Sequence, residues 1–154
     1  MKDTFYINNN EIEMEFSSSE KLLDTLRNNG FTEVKNGCKT GNCGACVILL
    51  DEKPVNSCQI YTASVVKRHI TTIKGLGSIQ SPHPIQKAFV DTAAVQCGFC
   101  TPGMILSAYG LLSKNPSPDR EQIKEALAGN LCRCTGYVKI IEAVQLAAER
   151  MTKK

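Results

Sequence analysis

Eight cysteines fall into two sets of four, and clustered sulfur is the strongest chemical signal in the chain. The first set runs Cys38-x4-Cys43-x2-Cys46-x11-Cys58 and the second Cys97-x2-Cys100-x31-Cys132-x1-Cys134. In the first, three thiolates must converge from one short loop, so the backbone has to curve tightly. Gly41 and Gly44 permit φ > 0 there and let N–H groups come close to sulfur. A C-x4-C-x2-C opening with a distant fourth cysteine is the plant-type [2Fe–2S] spacing, whereas zinc knuckles usually open with C-x2–4-C pairs. N–H···S bonds in such a loop stabilise the reduced, more negative form and raise the potential. The second set is ambiguous: a C-x2-C pair with a distant C-x-C suits tetrahedral Zn²⁺ or a [2Fe–2S] core equally well. A redox disulfide at Cys97 and Cys100 lacks the thioredoxin-like βαβ surroundings that it needs.

These loops need elements to hold them. Residues 5–7 and 12–16 alternate apolar and polar side chains around Asn8-Asn9-Asn10, which predicts a hairpin. Ser17 with Glu20 fits a capping box ahead of a helix whose apolar face is Leu22, Leu23 and Leu26, with Gly30 as its stop. Residues 47–50 read as a buried strand, 51–54 as a turn into a short segment at Val55, and 69–73 as a last strand. Sheet, one helix and a long cysteine loop outline a β-grasp, ferredoxin-like domain over residues 1–76. From about Pro82 the pattern turns helical, over 85–95, 104–114, 121–127 and 138–151. Thr101-Pro102 and Ser117-Pro118 each set proline at a helix start behind a capping hydroxyl. The stretch 75–84, rich in glycine, serine and proline, is the natural linker, with His83 a linker residue. The fold class is therefore α+β: the ferredoxin-like domain, then a four-helix domain over 77–154. Each helix pair encloses a cysteine-bearing loop, which would let the two loops face each other.

With 42% hydrophobic residues the chain can bury a core, and its composition is not that of a wholly disordered chain. No stretch approaches the roughly 20 apolar residues that cross a bilayer, and the first ten residues lack the apolar run of a secretory signal. The expectation is a cytoplasmic protein without a membrane segment, where clustered thiols serve metals or catalysis rather than disulfides. The formal charge of +3 is no nucleic-acid signal, because Lys and Arg are scattered. Four thiolates around an oxidised [2Fe–2S]²⁺ core carry a net −2, so two such sites would turn +3 into about −1. Catalytic residues are not apparent. His69 and His83 stand apart without paired acids, and Gly75-Leu76-Gly77 is too short for a dinucleotide loop. A two-zinc structural or nucleic-acid module is the rival from another class, and colour separates it from an iron protein.

Three stretches resemble the signatures of the iron–sulfur subunits of the xanthine dehydrogenase family. They are Gly37-Cys38 through Cys46 with Ser57-Cys58 following, Val95-Gln96-Cys97-Gly98-Phe99-Cys100-Thr101-Pro102-Gly103, and Gly129-Asn130-Leu131-Cys132-Arg133-Cys134-Thr135-Gly136-Tyr137. The resemblance covers nearly the whole chain in order, and all eight cysteines fall on family ligand positions. It implies one [2Fe–2S] cluster on Cys38, Cys43, Cys46 and Cys58, nearer a flavin. It implies a second on Cys97, Cys100, Cys132 and Cys134, nearer a molybdopterin, with Gln96 and the Cys134 sulfur approaching the pterin. Arg133, between two ligands, would offset cluster charge. Molybdopterin and FAD would belong to partners, a molybdopterin-binding large subunit and an FAD-binding medium subunit, since this chain has no room for either. The implied function is an electron-transfer subunit of a molybdenum hydroxylase whose substrate is a purine, another N-heteroaromatic, an aldehyde or carbon monoxide. A free-standing soluble ferredoxin-type carrier is the alternative. Lys74 departs from the family, in which many members carry an acid there, and bears only on a local ion pair.

Overall fold

Residues 1–153 are described by a computed structural model containing five strands, six helices and two 3₁₀ turns. Strands β1 (Lys2–Ile7) and β2 (Asn10–Glu15) form the first hairpin, turned by Asn8 and Asn9 at φ 51° and 66°. A two-residue turn with both residues left-handed matches the strand twist, and Asn tolerates that conformation well. Asp51 and Glu52, at φ 46° and 66°, make the same turn between β3 (Val47–Leu50) and β4 (Lys53–Asn56). Strand β5 (His69–Thr71) lies between β1 and β3, parallel to the first and antiparallel to the second, giving the order β2-β1-β5-β3-β4. Helix α1 (Leu22–Asn28) packs its leucines with Phe5, Ile7, Ile48 and Ile70, which completes the ferredoxin-like half.

The structure moves several predicted boundaries. Ser17 and Glu20 form a turn ahead of α1 rather than its cap: the Ser17 N–H donates to Glu20 Oε2 at 3.1 Å. The Leu22 N–H is taken by Ile60 O at 2.9 Å while Lys21 bridges Tyr61, so α1 begins at Leu22 without a side-chain cap. Strand β5 stops at Thr71. The Thr72 N–H turns to Asn8 Oδ1 and its hydroxyl to Glu33 Oε1, both at 2.8 Å, and Ile73–Leu76 coils into a short helix, α2. Lys74 of α2 pairs with Glu33 at 3.3 Å, so this position forms an ion pair with a lysine in place of the acid.

His83 is a helix cap, not a linker residue. Its ring Nδ1 accepts the Ile85 N–H at 3.3 Å, its own N–H donates to Gln86 Oε1 at 2.8 Å, and Pro84 opens α3 (Pro84–Asp91). Helix α3 ends before residue 95 because Ala93 takes φ 55° and the Ala94 N–H closes on Phe89 O at 2.9 Å, a left-handed stop. Helices α4 (Thr101–Leu112), α5 (Arg120–Leu127) and α6 (Val138–Thr152) follow. Asp119, rather than Ser117, caps α5 by accepting the Gln122 N–H at 2.8 Å. Helix α3 packs on α6 and α4 on α5, around Ile85, Phe89, Met104, Ile123, Ile140 and Val144.

Strand β3 joins the two halves. All four of its residues are buried, because alternate side chains serve different cores. Ile48 and Leu50 enter the ferredoxin-like core, while Val47 and Leu49 meet Leu106 of α4. Full burial of one such side chain stabilises by about 1.5–3 kcal/mol, so this contact fixes the halves against each other. Among the described residues no helix is long and apolar enough to cross a membrane.

Candidate metal centres

The N-terminal thiols are assembled by the β3–β4 hairpin and the loop before it. Cys46 immediately precedes β3 and Cys58 sits in the 3₁₀ turn Ser57–Gln59 just after β4, so the antiparallel pairing sets the two buried thiols side by side. The Ser57 hydroxyl donates to Cys46 O at 2.8 Å and fixes that return. Burial pushes the Cys46 thiol up to about 11. At the other end of the loop Cys38 is partly exposed, and the N–H groups of Thr40 and Cys43 both donate to its sulfur at 3.4 Å. Hydrogen bonding from Thr40, then from Cys43, holds the Cys38 thiol down at about 6. Gly41 at φ 83° and Gly44 at φ 68° make the curvature that aims those N–H groups inward. Gln59 Nε2 donates to Cys58 Sγ at 3.2 Å and to Lys39 O at 3.3 Å, tying the fourth thiol to the loop.

The C-terminal thiols are assembled by helix packing. Cys97 and Cys100 lie between α3 and α4, and Cys132 and Cys134 between α5 and α6. Because α3 lies on α6 and α4 on α5, Cys97 meets Cys134 and Cys100 meets Cys132. Burial pushes the Cys100 thiol up to about 12. At Cys132 burial also pushes upward, but hydrogen bonds from Thr135, Cys134 and Cys100 together outweigh it and leave the thiol below its ordinary value. The hydrogen bond with Cys97 pushes the Cys134 thiol up. Tyr137, left-handed at φ 69°, folds its ring back so that its hydroxyl accepts the Cys132 N–H at 2.9 Å. Cys97, Cys134, Gln96 and Arg133 are exposed at this end of the bundle, and so are the large apolar side chains of Phe99, Leu131 and Val138.

The two centres touch: the Leu131 N–H, one residue before Cys132, donates to Cys43 O at 2.9 Å. The structure sets Cys46 beside Cys58 and Cys38 at the N–H groups of Thr40 and Cys43, and it brings Cys97, Cys100, Cys132 and Cys134 together, with Gln96 and Arg133 next to them in the chain. Sequence reasoning gave no role to Gln59, Thr135 or Tyr137. Each lies within five residues of a cysteine and carries a hydroxyl or amide, which is the only signal that could have marked them.

The donor sets fit [2Fe–2S] cores. The ligand candidates at both centres are sulfur, the preferred donor of iron–sulfur clusters. Contacts pair Cys46 with Cys58, Cys100 with Cys132 and Cys97 with Cys134, and a two-iron core takes its thiolates two to an iron. The high thiols of Cys46 and Cys100 would be deprotonated by the metal charge itself.

Residues 5–68 match the family described as the 2Fe-2S iron-sulfur cluster binding domain, and residues 72–145 the [2Fe-2S] binding domain. The chain is 47% identical over 133 residues to the nicotinate dehydrogenase small FeS subunit of Eubacterium barkeri, covering 86% of this chain and 85% of that one. Quinoline 2-oxidoreductase from Pseudomonas putida 86 superposes with a TM-score of 0.94 at 37% identity, over 99% of this chain and 96% of that one. Aldehyde oxidoreductase from Desulfovibrio gigas superposes with a TM-score of 0.95 at 41% identity over 100% of this chain, which spans only 18% of that longer one.

Proposed function

This chain belongs to the small iron–sulfur subunits of the molybdenum hydroxylases, electron-transfer subunits with two [2Fe–2S] domains, and we propose which of its residues do the work and for which partners. Cys38, Cys43, Cys46 and Cys58 hold the cluster of the ferredoxin-like unit, residues 1–76. Cys97, Cys100, Cys132 and Cys134 hold that of the helical unit, residues 77–154. Each core supplies one-electron chemistry when bound. The chain's own part is to position: N–H groups of Thr40 and Cys43 meet one cysteine sulfur, Gln59 another and Thr135 a third. The observation that carries the reading is the Leu131 N–H to Cys43 O bridge, which holds two all-cysteine sites against each other in one packed body.

The exposed end of the helical unit is the side for a molybdopterin-binding large subunit, with Gln96 and the Cys134 sulfur facing the pterin. The ferredoxin-like unit faces an FAD-binding medium subunit. Electrons then run from the molybdenum site through the helical unit and the ferredoxin-like unit to FAD. The relatives of similar length are named for nicotinate and quinoline, so an N-heteroaromatic is the substrate class we assign to the whole enzyme. A cytoplasmic location would keep eight clustered cysteines reduced and available to bind iron.

Rapid mixing of substrate with intact complexes tests the order. Cys132→Ala should leave molybdenum reducible while the ferredoxin-like cluster and flavin stay oxidised. Cys43→Ala should leave the helical cluster reducible while flavin reduction fails. Normal flavin reduction in the Cys132→Ala complex, or exchanged behaviour of the two variants, would overturn the assignment.

A further inference from the structure

Where the two units meet, one side chain is buried against both. Asn130 is 4% exposed, lies two residues before Cys132, and belongs to neither cysteine set. Its Nδ2 donates to Gly44 O at 3.1 Å, across the interface and next to Cys43, and its Oδ1 accepts from the Ser107 hydroxyl at 2.8 Å. The orientation of the amide is forced: a carbonyl can only accept, so Nδ2 must face Gly44 and Oδ1 must face Ser107. The backbone is fitted closely around this bridge. A Cβ at Gly44 would strike Gly129 O and come within 2.6 Å of Asn130 Nδ2, and one at Gly103 would strike Gly44 O. Ser107 in turn sits beside Leu106, which packs on Val47 and Leu49 of β3. Helix α4, the loop before Cys132 and the loop after Cys43 therefore meet on a single amide.

We propose that Asn130 is a positioning residue that sets the distance between the two metal centres, with Ser107 fixing its orientation and Gly44 O as its fixed point. This rests on the reading that each cysteine set holds a cluster. An electron passing singly between two centres is acutely sensitive to their separation, because its transfer rate falls off steeply with distance. One amide that both donates across the interface and is itself held from behind resists sliding of one loop along the other.

The test uses the whole complex carrying Asn130→Asp. Aspartate keeps the shape and still accepts from Ser107, but sets an oxygen against Gly44 O where a donor stood. With iron content unchanged, pulsed EPR should give a longer or broader distance between the two reduced centres than in the wild type. After mixing with substrate, the helical centre should be reduced at the wild-type rate, while electron arrival at the ferredoxin-like centre slows on the order of tenfold. Ser107→Ala should shift both readouts the same way by less. A lower melting temperature with unchanged distance and unchanged arrival rate would reduce Asn130 to a stabilising residue and overturn the proposal. If Asn130→Asp fails to load iron, Ser107→Ala decides by the same two readouts, and wild-type values there overturn it. Fewer than two iron–sulfur signals in the wild-type complex would instead refute the ligand assignment.

Discussion

In the ferredoxin-like half, three thiols come from nine consecutive residues and the fourth returns on a tight hairpin; in the helical half, two pairs of thiols are separated by 31 residues and meet only because four helices pack. The first site is shaped by its own backbone, through Gly41, Gly44 and the N–H groups they aim at Cys38. The second has a local frame only around Cys132, from Thr135 and Tyr137, and its thiols come together through the packing of the helix pairs. Its thiols close the ends of two helix pairs, so metal and bundle depend on each other. Exposure differs as well: Cys46 and Cys58 are buried against their own core, whereas Cys97 and Cys134 face outward beside Phe99, Leu131 and Val138. The loop-built site meets the helical half through Cys43 O and Gly44 O, whereas the site built where helices end turns Cys97 and Cys134 outward.

The sharpest way to break this contrast is to remove one ligand from each half. In Cys132→Ala, iron should fall by about half, and amide exchange should accelerate through α3–α6 while the sheet stays protected. In Cys43→Ala the loss of iron should be the same but faster exchange should stay within residues 37–46. Equal spread of fast exchange in both variants would mean that the two sites are not built differently.

The shared face comes next. Leu106 is 1% exposed and packs on Val47 and Leu49, so Leu106→Ala should cost about 2–5 kcal/mol in urea unfolding of the loaded chain. Because the contact spans both halves, signals from sheet and bundle should shift together. A shift of the bundle alone would show that β3 does not couple them.

Smaller effects separate the immediate surroundings of the sulfurs. Tyr137→Phe deprives the Cys132 N–H of its acceptor and should cost about 1 kcal/mol in melting experiments, with the ferredoxin-like cluster unaffected. Gln59→Leu removes an N–H···S bond at Cys58, so redox titration should find a lower potential for the N-terminal cluster only. A change in both clusters from either variant would contradict the separateness of the two sites.

The smallest effect concerns the α3–α6 pair that brings Cys97 to Cys134. Arg150 forms an ion pair with Asp91 at 2.7 Å, and it, with Lys87, holds the Asp91 carboxyl below its ordinary value. A depressed carboxyl stabilises the fold above its unfolded value of about 3.9 and loses that contribution as pH falls through the lower folded value. The melting temperature of Asp91→Asn should therefore lie slightly below wild type at neutral pH and converge with it in acid. A gap that persists at low pH would assign the effect to packing instead.

Most of the local structure was legible in the residues. The hairpin at Asn8-Asn9, the strand over residues 47–50, the stop at Gly30 and the four helical stretches follow from periodicity and turn chemistry, which act over a few neighbours. The first cysteine set could be recognised because its spacing constrains one loop. The second stayed open between zinc and iron because its geometry depends on how α3–α6 pack, and spacing along a chain does not encode that. The errors have the same origin. Residue 73 extends a strand by pattern, but Asn8, 64 residues away, captures the Thr72 N–H and ends it. His83 looks like linker until Gln86 and Ile85 make it a cap.

The sequence by itself determined which atoms can bind metal, how tightly the first loop must curve, and that sheet gives way to helix near residue 82. Only the tertiary structure decided which thiol meets which across the helix pairs, that β3 is buried on both faces, and that Asn130 joins Ser107 to Gly44 between the two sites. The reason is range. Propensity, capping and turn geometry act between near neighbours, whereas a hydrogen bond between Asn130 and Gly44, 86 positions apart, exists only after the chain between them has folded to bring the two together.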